Sequence, residues 1–195
     1  MNKSRLEAFS DGVIAIIITI MVLEMKVPHG ADWVDLHKLW PVFASYGLSF
    51  VFVGIYWVNH HHMIHLVKHV NGQVLWANLH LLFWLSLVPF VTAWMGENHF
   101  AQNPVIAYGV VALMCGIAYD VLLRSIRHTH GVENLLGDGV KNTHKGPLSL
   151  LMYALAIVAA FWSTTISFAL FAGVSVMWFI PDKRVEKVVN QSSSK

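Results

Sequence analysis

The chain has 195 residues, of which 56% are hydrophobic and 12% are charged, and its mean hydropathy is +0.56. This composition is too apolar for an ordinary soluble domain and indicates an integral membrane protein. The net charge is only +2 with the histidines neutral, and no dense basic patch lies outside the flanks of the apolar segments, which argues against a nucleic-acid-binding protein.

The first predicted span, residues 8–25, carries polar side chains at two depths. Ser10 and Asp11 lie at its N-terminal edge, and Thr19 lies near its middle. An ionisable residue at the edge of a span is costly without a partner, so Asp11 belongs either to a polar network or to a helix start that headgroups keep wet. Ser10 and Thr19 are nine positions apart, which at about 100° per residue places them on opposite sides of the helix. If Ser10 bonds within its own subunit, Thr19 faces elsewhere, and a central axis between subunits is a candidate.

Three apolar side chains form one stripe with Thr19. Ile16, Ile20 and Leu23 lie at i−3, i+1 and i+4 from it. Repeated around a symmetry axis, the stripe predicts narrow apolar rings and one ring of hydroxyls, which would gate by dewetting and select ions by pore width. Contact with lipid or ordinary packing is the alternative, with Thr19 bonded to its own i−4 carbonyl, because a helix that is apolar all round does not reveal its facing.

The end of the second predicted span is rich in histidine. His61, His65 and His69 follow an i, i+4 spacing that is compatible with chelation, but no cysteine or acidic residue lies near them in the sequence, and a metal site is not predicted. His60 or His61 lies at the same predicted depth as Asp11. A histidine–carboxylate pair at that depth would make gating respond to pH near neutrality.

Six apolar stretches are long enough to cross a membrane. The last two form a hairpin that turns near residues 163–165, because residues 147–180 as a single helix would overshoot the membrane. With six spans, 11 of the 13 Lys and Arg residues share one side, leaving Lys26 and Lys38 on the other, which predicts that both termini are cytoplasmic. Residues 1–183 then form one six-helix transmembrane domain, and residues 184–195 form a short cytoplasmic tail. The predicted spans lie near residues 8–25, 39–59, 74–95, 104–123, 147–163 and 165–180.

The stretch from Arg5 to Asp11 resembles a known family. Its sequence, RLEAFSD, fits the R-x-x-x-F-S-D signature of the transmembrane protein 175 family, the lysosomal and endosomal potassium channels and their bacterial relatives. The similarity continues through YWVNHHH, which contains Trp57, His60 and His61, and through NLHLLFWLSLVPF in the third span. The match covers most of the chain, and the heptad followed by an apolar helix is a specific signal.

This resemblance implies a homotetramer of six-helix subunits in which the first helix lines a potassium-permeable pore. Eukaryotic members carry two such units per chain, so the single unit here implies a bacterial channel in the cell (inner) membrane. No T-V-G-Y-G sequence occurs, and selectivity for potassium over sodium is therefore expected to be modest. The expected partners are the chain itself, the lipid bilayer, potassium and related monovalent cations, with no cofactor, metal or nucleic acid.

Three sets of candidate site residues follow. The family's network near the cytoplasmic end of the first helix, which holds that helix in register, maps to Arg5, Phe9, Ser10 and Asp11. Its pore residues map to Ile16, Thr19, Ile20 and Leu23. The candidates for gating or pH sensing are Trp57, His60 and His61.

Two other classes of protein use histidines in membranes. A proton or divalent-metal transporter is the main alternative, but it would need acidic or broken-helix sites at mid-membrane, and only Asp120 lies within a predicted span, near its end. A haem-bearing anchor would pair His80 with His60 or His61, although histidine in a helical bundle is more often simply hydrogen-bonded. An enzyme is not predicted, since no span offers a nucleophile–base pair or an H-E-x-x-H motif.

Overall fold

The computed structural model describes residues 2–65, 67, 69–130 and 145–179. All regular structure within these residues is helical. The predicted tail at 184–195 and the predicted domain boundary at residue 183 lie outside the described residues. The helices are α1 (Lys3–Leu23), α2 (Trp33–His37), α3 (Trp40–His65), α4 (Gly72–Ser86), α5 (Val88–Glu97), α6 (Gln102–His130), α7 (Lys145–Ala159) and α8 (Thr164–Phe179).

The helices account for the six predicted spans. Four stretches of the described chain are long and apolar enough to cross a membrane, namely Lys3–Leu23, Trp40–His65, Gly72–Glu97 and Gln102–Thr129. The shorter apolar helices α7 and α8 follow. They form the predicted hairpin, whose turn lies at residues 160–163. The predicted all-helical membrane fold is confirmed.

The structure differs from the predicted spans mainly at helix ends. The helices α3 and α6 continue six or seven residues beyond the predicted spans, because backbone hydrogen bonding continues after hydropathy falls. The third span is broken at Leu87 into α4 and α5, with Pro89 at the second position of α5. A proline lacks the N–H that would bond to the carbonyl four residues earlier, and its ring clashes with that carbonyl. The five-residue helix α2 was not predicted.

The first helix packs against α3, α4 and α5. Its contact face carries the apolar side chains of Leu6, Ile14, Ile17 and Met21, all of which are buried. Ser10, on the same face, is also fully buried. One side of α1 is thus fixed in the core of the subunit.

The helices α3 and α5 approach each other closely at Gly96. A Cβ at this position would lie 2.9 Å from the Val42 Cα, so only glycine fits without a shift of backbone. Nearby, the hydroxyl oxygens of Ser49 and Thr92 are 2.7 Å apart, and Ser49 also bonds to the Tyr108 hydroxyl at 3.2 Å. This buried hydroxyl cluster joins α3, α5 and α6 by polar contacts, which helix bundles in membranes use because apolar contact alone does not favour protein over lipid.

Candidate functional site on the first helix

The helix α1 has two opposed faces. The residues Ile16, Thr19, Ile20 and Leu23, here called the open stripe, are all exposed in the subunit. Ile16 keeps 58% of its surface accessible and Leu23 keeps 79%. Nine positions along a helix correspond to about two and a half turns, so the residue nine positions before each member of the stripe lies on the opposite side of α1. Ser10, half a turn from Thr19, is fully buried, as the helical period predicts.

The hydroxyl of Thr19 is held by its own helix. Its Oγ1 lies 3.1 Å from the Ala15 carbonyl oxygen and 3.0 Å from the Ile16 carbonyl oxygen. The hydroxyl hydrogen therefore points back to the backbone, as the packing alternative required. Because the side chain is exposed, the oxygen lone pairs remain available outside the helix.

A buried polar network joins α1, α4 and α3 behind the open stripe. Ser10 Oγ donates to the Leu6 carbonyl at 2.9 Å and accepts from Asn78 Nδ2 at 3.0 Å. The Asn78 Oδ1 lies 2.7 Å from His60 Nε2. Asn78 is fully buried and His60 is 1% exposed. This Ser10–Asn78–His60 network satisfies polar groups that would be costly to leave unpaired in the bundle.

The direction of these hydrogen bonds assigns the tautomer of His60. Since the Asn78 amide nitrogen donates to Ser10, its carbonyl oxygen faces His60, and His60 Nε2 must carry a hydrogen. His60 Nδ1 is buried and has no partner among the described residues. Protonating that nitrogen would bury an unpaired charge, so the network favours neutral His60.

The sequence did not single out Asn78 as a network residue. The available signal was a lone amide inside an apolar span, because such a group inside a membrane requires a partner. Its position on α4 could not reveal that the partners would be Ser10 on α1 and His60 on α3, since those contacts join residues 68 and 18 positions apart.

The structure shows no direct contact between Asp11 and a histidine among the described residues, so the predicted pairing is not seen within the subunit. Asp11 Oδ1 instead accepts a hydrogen bond from Trp57 Nε1 at 3.1 Å. His61 Nδ1 lies 3.3 Å from Glu7 Oε1, one helical turn away. Trp57 and His61 share one face of α3 because they are four residues apart, whereas His60 turns inward to Asn78. Glu7 was not a predicted site residue.

The four signature residues of α1 do not form a single network within the subunit. Ser10 and Asp11 contact different helices. Phe9 is exposed, and so is Arg5, whose guanidinium makes no hydrogen bond or ion pair with the described residues. The signature therefore divides into two residues that anchor α1 and two that project from the subunit.

His80 and His60, the pair considered for a haem site, each use their Nε2 atom within the subunit. His80 Nε2 accepts a hydrogen bond from Trp84 Nε1 at 3.0 Å within α4, and His60 Nε2 is occupied by Asn78. Neither imidazole presents that nitrogen to a ligand. Across the part of the chain that the structure describes, no three His, Cys, Asp or Glu side chains are grouped as a metal site requires.

Comparisons with known proteins agree with the first-helix signature. Residues 5–89 match the family described as endosomal/lysosomal potassium channel TMEM175. A potassium channel of Chryseobacterium sp. (strain P1-3) is 50% identical over 192 residues, which are 98% of this chain and 100% of that protein. A potassium channel of Chamaesiphon minutus is 33% identical over 87% of this chain and 91% of its own length. The crystal structure of a lysosomal potassium-selective channel TMEM175 homolog from Chamaesiphon minutus matches with a TM-score of 0.78 at 28% identity, over 90% of this chain and 95% of that one. The chain therefore belongs to the TMEM175 family.

Proposed function

We propose that this chain is the subunit of a potassium-permeable cation channel, in which four copies of α1 surround a central pore. The observation that carries the proposal is the open stripe: its own subunit leaves it uncovered, while the opposite side of α1 is anchored by buried contacts. Relatives that the chain resembles over nearly its full length are named potassium channels. In this proposal the protein is a channel and not an enzyme, and it needs no bound cofactor.

The composition of the open stripe suits a hydrophobic constriction. From Ile16 to Leu23 the helix rises about 10 Å, and over this length a fourfold axis would meet three apolar rings and one ring of Thr19 hydroxyls. Apolar rings gate by dewetting and admit a cation only when it sheds part of its water. Potassium dehydrates more easily than sodium, so the pore favours potassium. Without a rigid carbonyl filter this preference is modest.

The anchored residues give α1 its register in the proposed pore. Ser10 and Asp11 hold it to α4 and α3 of the same subunit. Arg5 and Phe9 project from the subunit and are the members of the signature that we assign to contacts between neighbouring copies. The network thus has an intrasubunit half and an intersubunit half.

We place the channel in the inner membrane of a bacterium, with both termini cytoplasmic. The excess of Lys and Arg at one end of the six spans supports this orientation. Residues 1–183 form the proposed channel domain and residues 184–195 its cytoplasmic tail. In this orientation Trp57, His60 and His61 lie at the cytoplasmic level, where they are candidates for gating.

The test is potassium flux into liposomes that contain the purified protein, with sodium as the comparison ion. Ile16→Asn should wet the constriction, raise the flux and reduce the preference for potassium. Ile166→Asn on α8 is the matched control, because Ile166 is 53% exposed in the subunit but lies outside α1. Equal flux through wild type and Ile16→Asn would remove Ile16 from the ion path. Wild-type flux no greater than that of empty liposomes would refute the channel itself.

A further inference from the structure

Three polar contacts between α1 and α3 are spaced by one helical turn. Along α1 the contacting residues advance by four positions, and along the antiparallel α3 they retreat by four. The distances are 2.6 Å from Lys3 Nζ to the His65 carbonyl oxygen, 3.3 Å from Glu7 Oε1 to His61 Nδ1, and 3.1 Å from Asp11 Oδ1 to Trp57 Nε1. This polar ladder consists of the pairs Lys3–His65, Glu7–His61 and Asp11–Trp57.

The polar ladder lies on the opposite side of α1 from the open stripe. Glu7 precedes Ile16 by nine positions, and Asp11 precedes Ile20 by nine. Nine residues correspond to about 900°, or half a turn beyond two full turns. A contact that fixes the rotation of α1 at Glu7 therefore also fixes the direction in which Ile16 points.

We propose that Glu7 and His61 are positioning residues of the pore helix, and that their contact makes the rotation of α1 sensitive to pH. This inference rests on the proposed channel function. The outer contacts of the ladder involve no imidazole: a lysine bonds to a backbone carbonyl oxygen at one end, and a tryptophan N–H bonds to a carboxylate at the other. The middle contact becomes an ion pair only when His61 is protonated.

His61 is accessible to protons and has charged neighbours of both signs. Its side chain is exposed, and histidine changes charge between about pH 5 and 8. Its acidic partner is Glu7, whose Oε1 lies 3.3 Å from His61 Nδ1. The ring centroids of His62 and His65 lie 5.7 Å and 6.2 Å from that of His61. The titratable and charged groups around this contact are Lys3, Arg5, Glu7 and Asp11 on α1 and His60, His62 and His65 on α3; α4 supplies the neutral Asn78.

The contact between α1 and α3 is therefore stronger at low pH than at high pH. With His61 protonated, the ion pair adds to the two permanent contacts and holds α1 in the rotation seen here. With His61 neutral, at most a hydrogen bond from its ring N–H to the Glu7 carboxylate remains across 3.3 Å, and α1 is held less tightly. Solvent-exposed ion pairs shift equilibria by about two- to fivefold, which sets the size of the expected response.

The experiment measures potassium flux through proteoliposomes at pH 5.5 and pH 8.0, with the same pH on both sides. Wild-type flux should differ between the two by about two- to fivefold. Glu7→Gln keeps the shape and a hydrogen-bonding group but removes the charge, so its flux should be the same at both pH values. His61→Lys keeps a positive charge throughout, and its flux at pH 8.0 should match that of wild type at pH 5.5. Asp120→Asn is the control: it removes the carboxylate that pairs with Arg124 on α6 and should leave the wild-type response intact.

A second readout does not depend on ion flux. Cys115 is the only cysteine of the chain and is buried, so Thr19→Cys introduces one exposed thiol on the open stripe. The rate at which a charged thiol reagent modifies Cys at this position is measured at each pH, once with Glu7 present and once in Glu7→Gln. The ratio of these two rates cancels the pH dependence of the thiol chemistry itself. That ratio should change between pH 5.5 and pH 8.0.

The outcomes separate the two proposals. A pH response of flux that survives in Glu7→Gln, or a wild-type flux that does not vary with pH, overturns the role of the ladder while leaving the channel in place. A modification ratio that stays constant with pH also overturns it. Absence of wild-type flux at every pH refutes the channel, and the thiol readout then still reports whether Glu7 controls the exposure of the stripe.

Discussion

Within the Ser10–Asn78–His60 network, replacing Asn78 should lower stability the most, because Asn78 alone contacts both of the other side chains. Asn78→Leu keeps roughly the same shape and removes both polar groups. Ser10 retains its bond to the Leu6 carbonyl, so its loss is small. His60 loses its partner at Nε2, and its Nδ1 already has none among the described residues.

The magnitude follows from the burial of His60. An unsatisfied buried polar group costs about 1–3 kcal/mol, whereas hydrogen bonds between membrane helices average about 0.6 and reach about 1.7 kcal/mol. Because His60 is 1% exposed, water or headgroups cannot replace the lost amide. We therefore expect Asn78→Leu to lower the free energy of unfolding by about 1–2 kcal/mol.

The assay is unfolding by sodium dodecyl sulfate in mixed micelles, followed by tryptophan fluorescence. Asn59→Leu is the control, since the Asn59 amide donates only to the Ile55 carbonyl of its own helix at 2.8 Å; it should change stability by less than about 0.5 kcal/mol. The double variant Asn78→Leu with His60→Leu should lose less free energy of unfolding than the two single variants lose together, because no unpaired polar group remains. Additive effects, or equal losses for Asn78→Leu and Asn59→Leu, would refute the network.

Two further predictions concern the pore and the packing behind it. Thr19→Val removes the only hydroxyl of the open stripe at constant shape and should bring the permeability ratio of potassium to sodium closer to one, as measured by reversal potentials in planar bilayers. The control Thr164→Val, on α8, should leave the ratio unchanged. An unchanged ratio for Thr19→Val would exclude this hydroxyl from selectivity. Gly96→Ala places a methyl group against the Val42 backbone and should lower the free energy of unfolding in the same micelle assay by about 1–3 kcal/mol, so a wild-type value would contradict the close approach of α3 and α5.

Hydropathy predicted the number of spans well and their ends poorly. The transfer of a side chain into lipid depends on its own polarity, so six apolar stretches are visible along the chain. A helix ends where its backbone hydrogen bonds end, and α3 continues through the polar residues up to His65. The break at Leu87 had a local cause in Pro89, but hydropathy does not detect a missing N–H.

The helical period, read from the sequence alone, determined that Ser10 and Thr19 face opposite ways, because a rotation of about 100° per residue is a property of the backbone. Only the tertiary structure decided which of these faces the subunit buries and what each polar group contacts. Asp11 bonds to Trp57 rather than to a histidine, and Glu7 rather than Asp11 faces His61. Such choices depend on how α3 is rotated and shifted against α1, and that arrangement is set by packing across both helices together, which no single stretch of sequence contains.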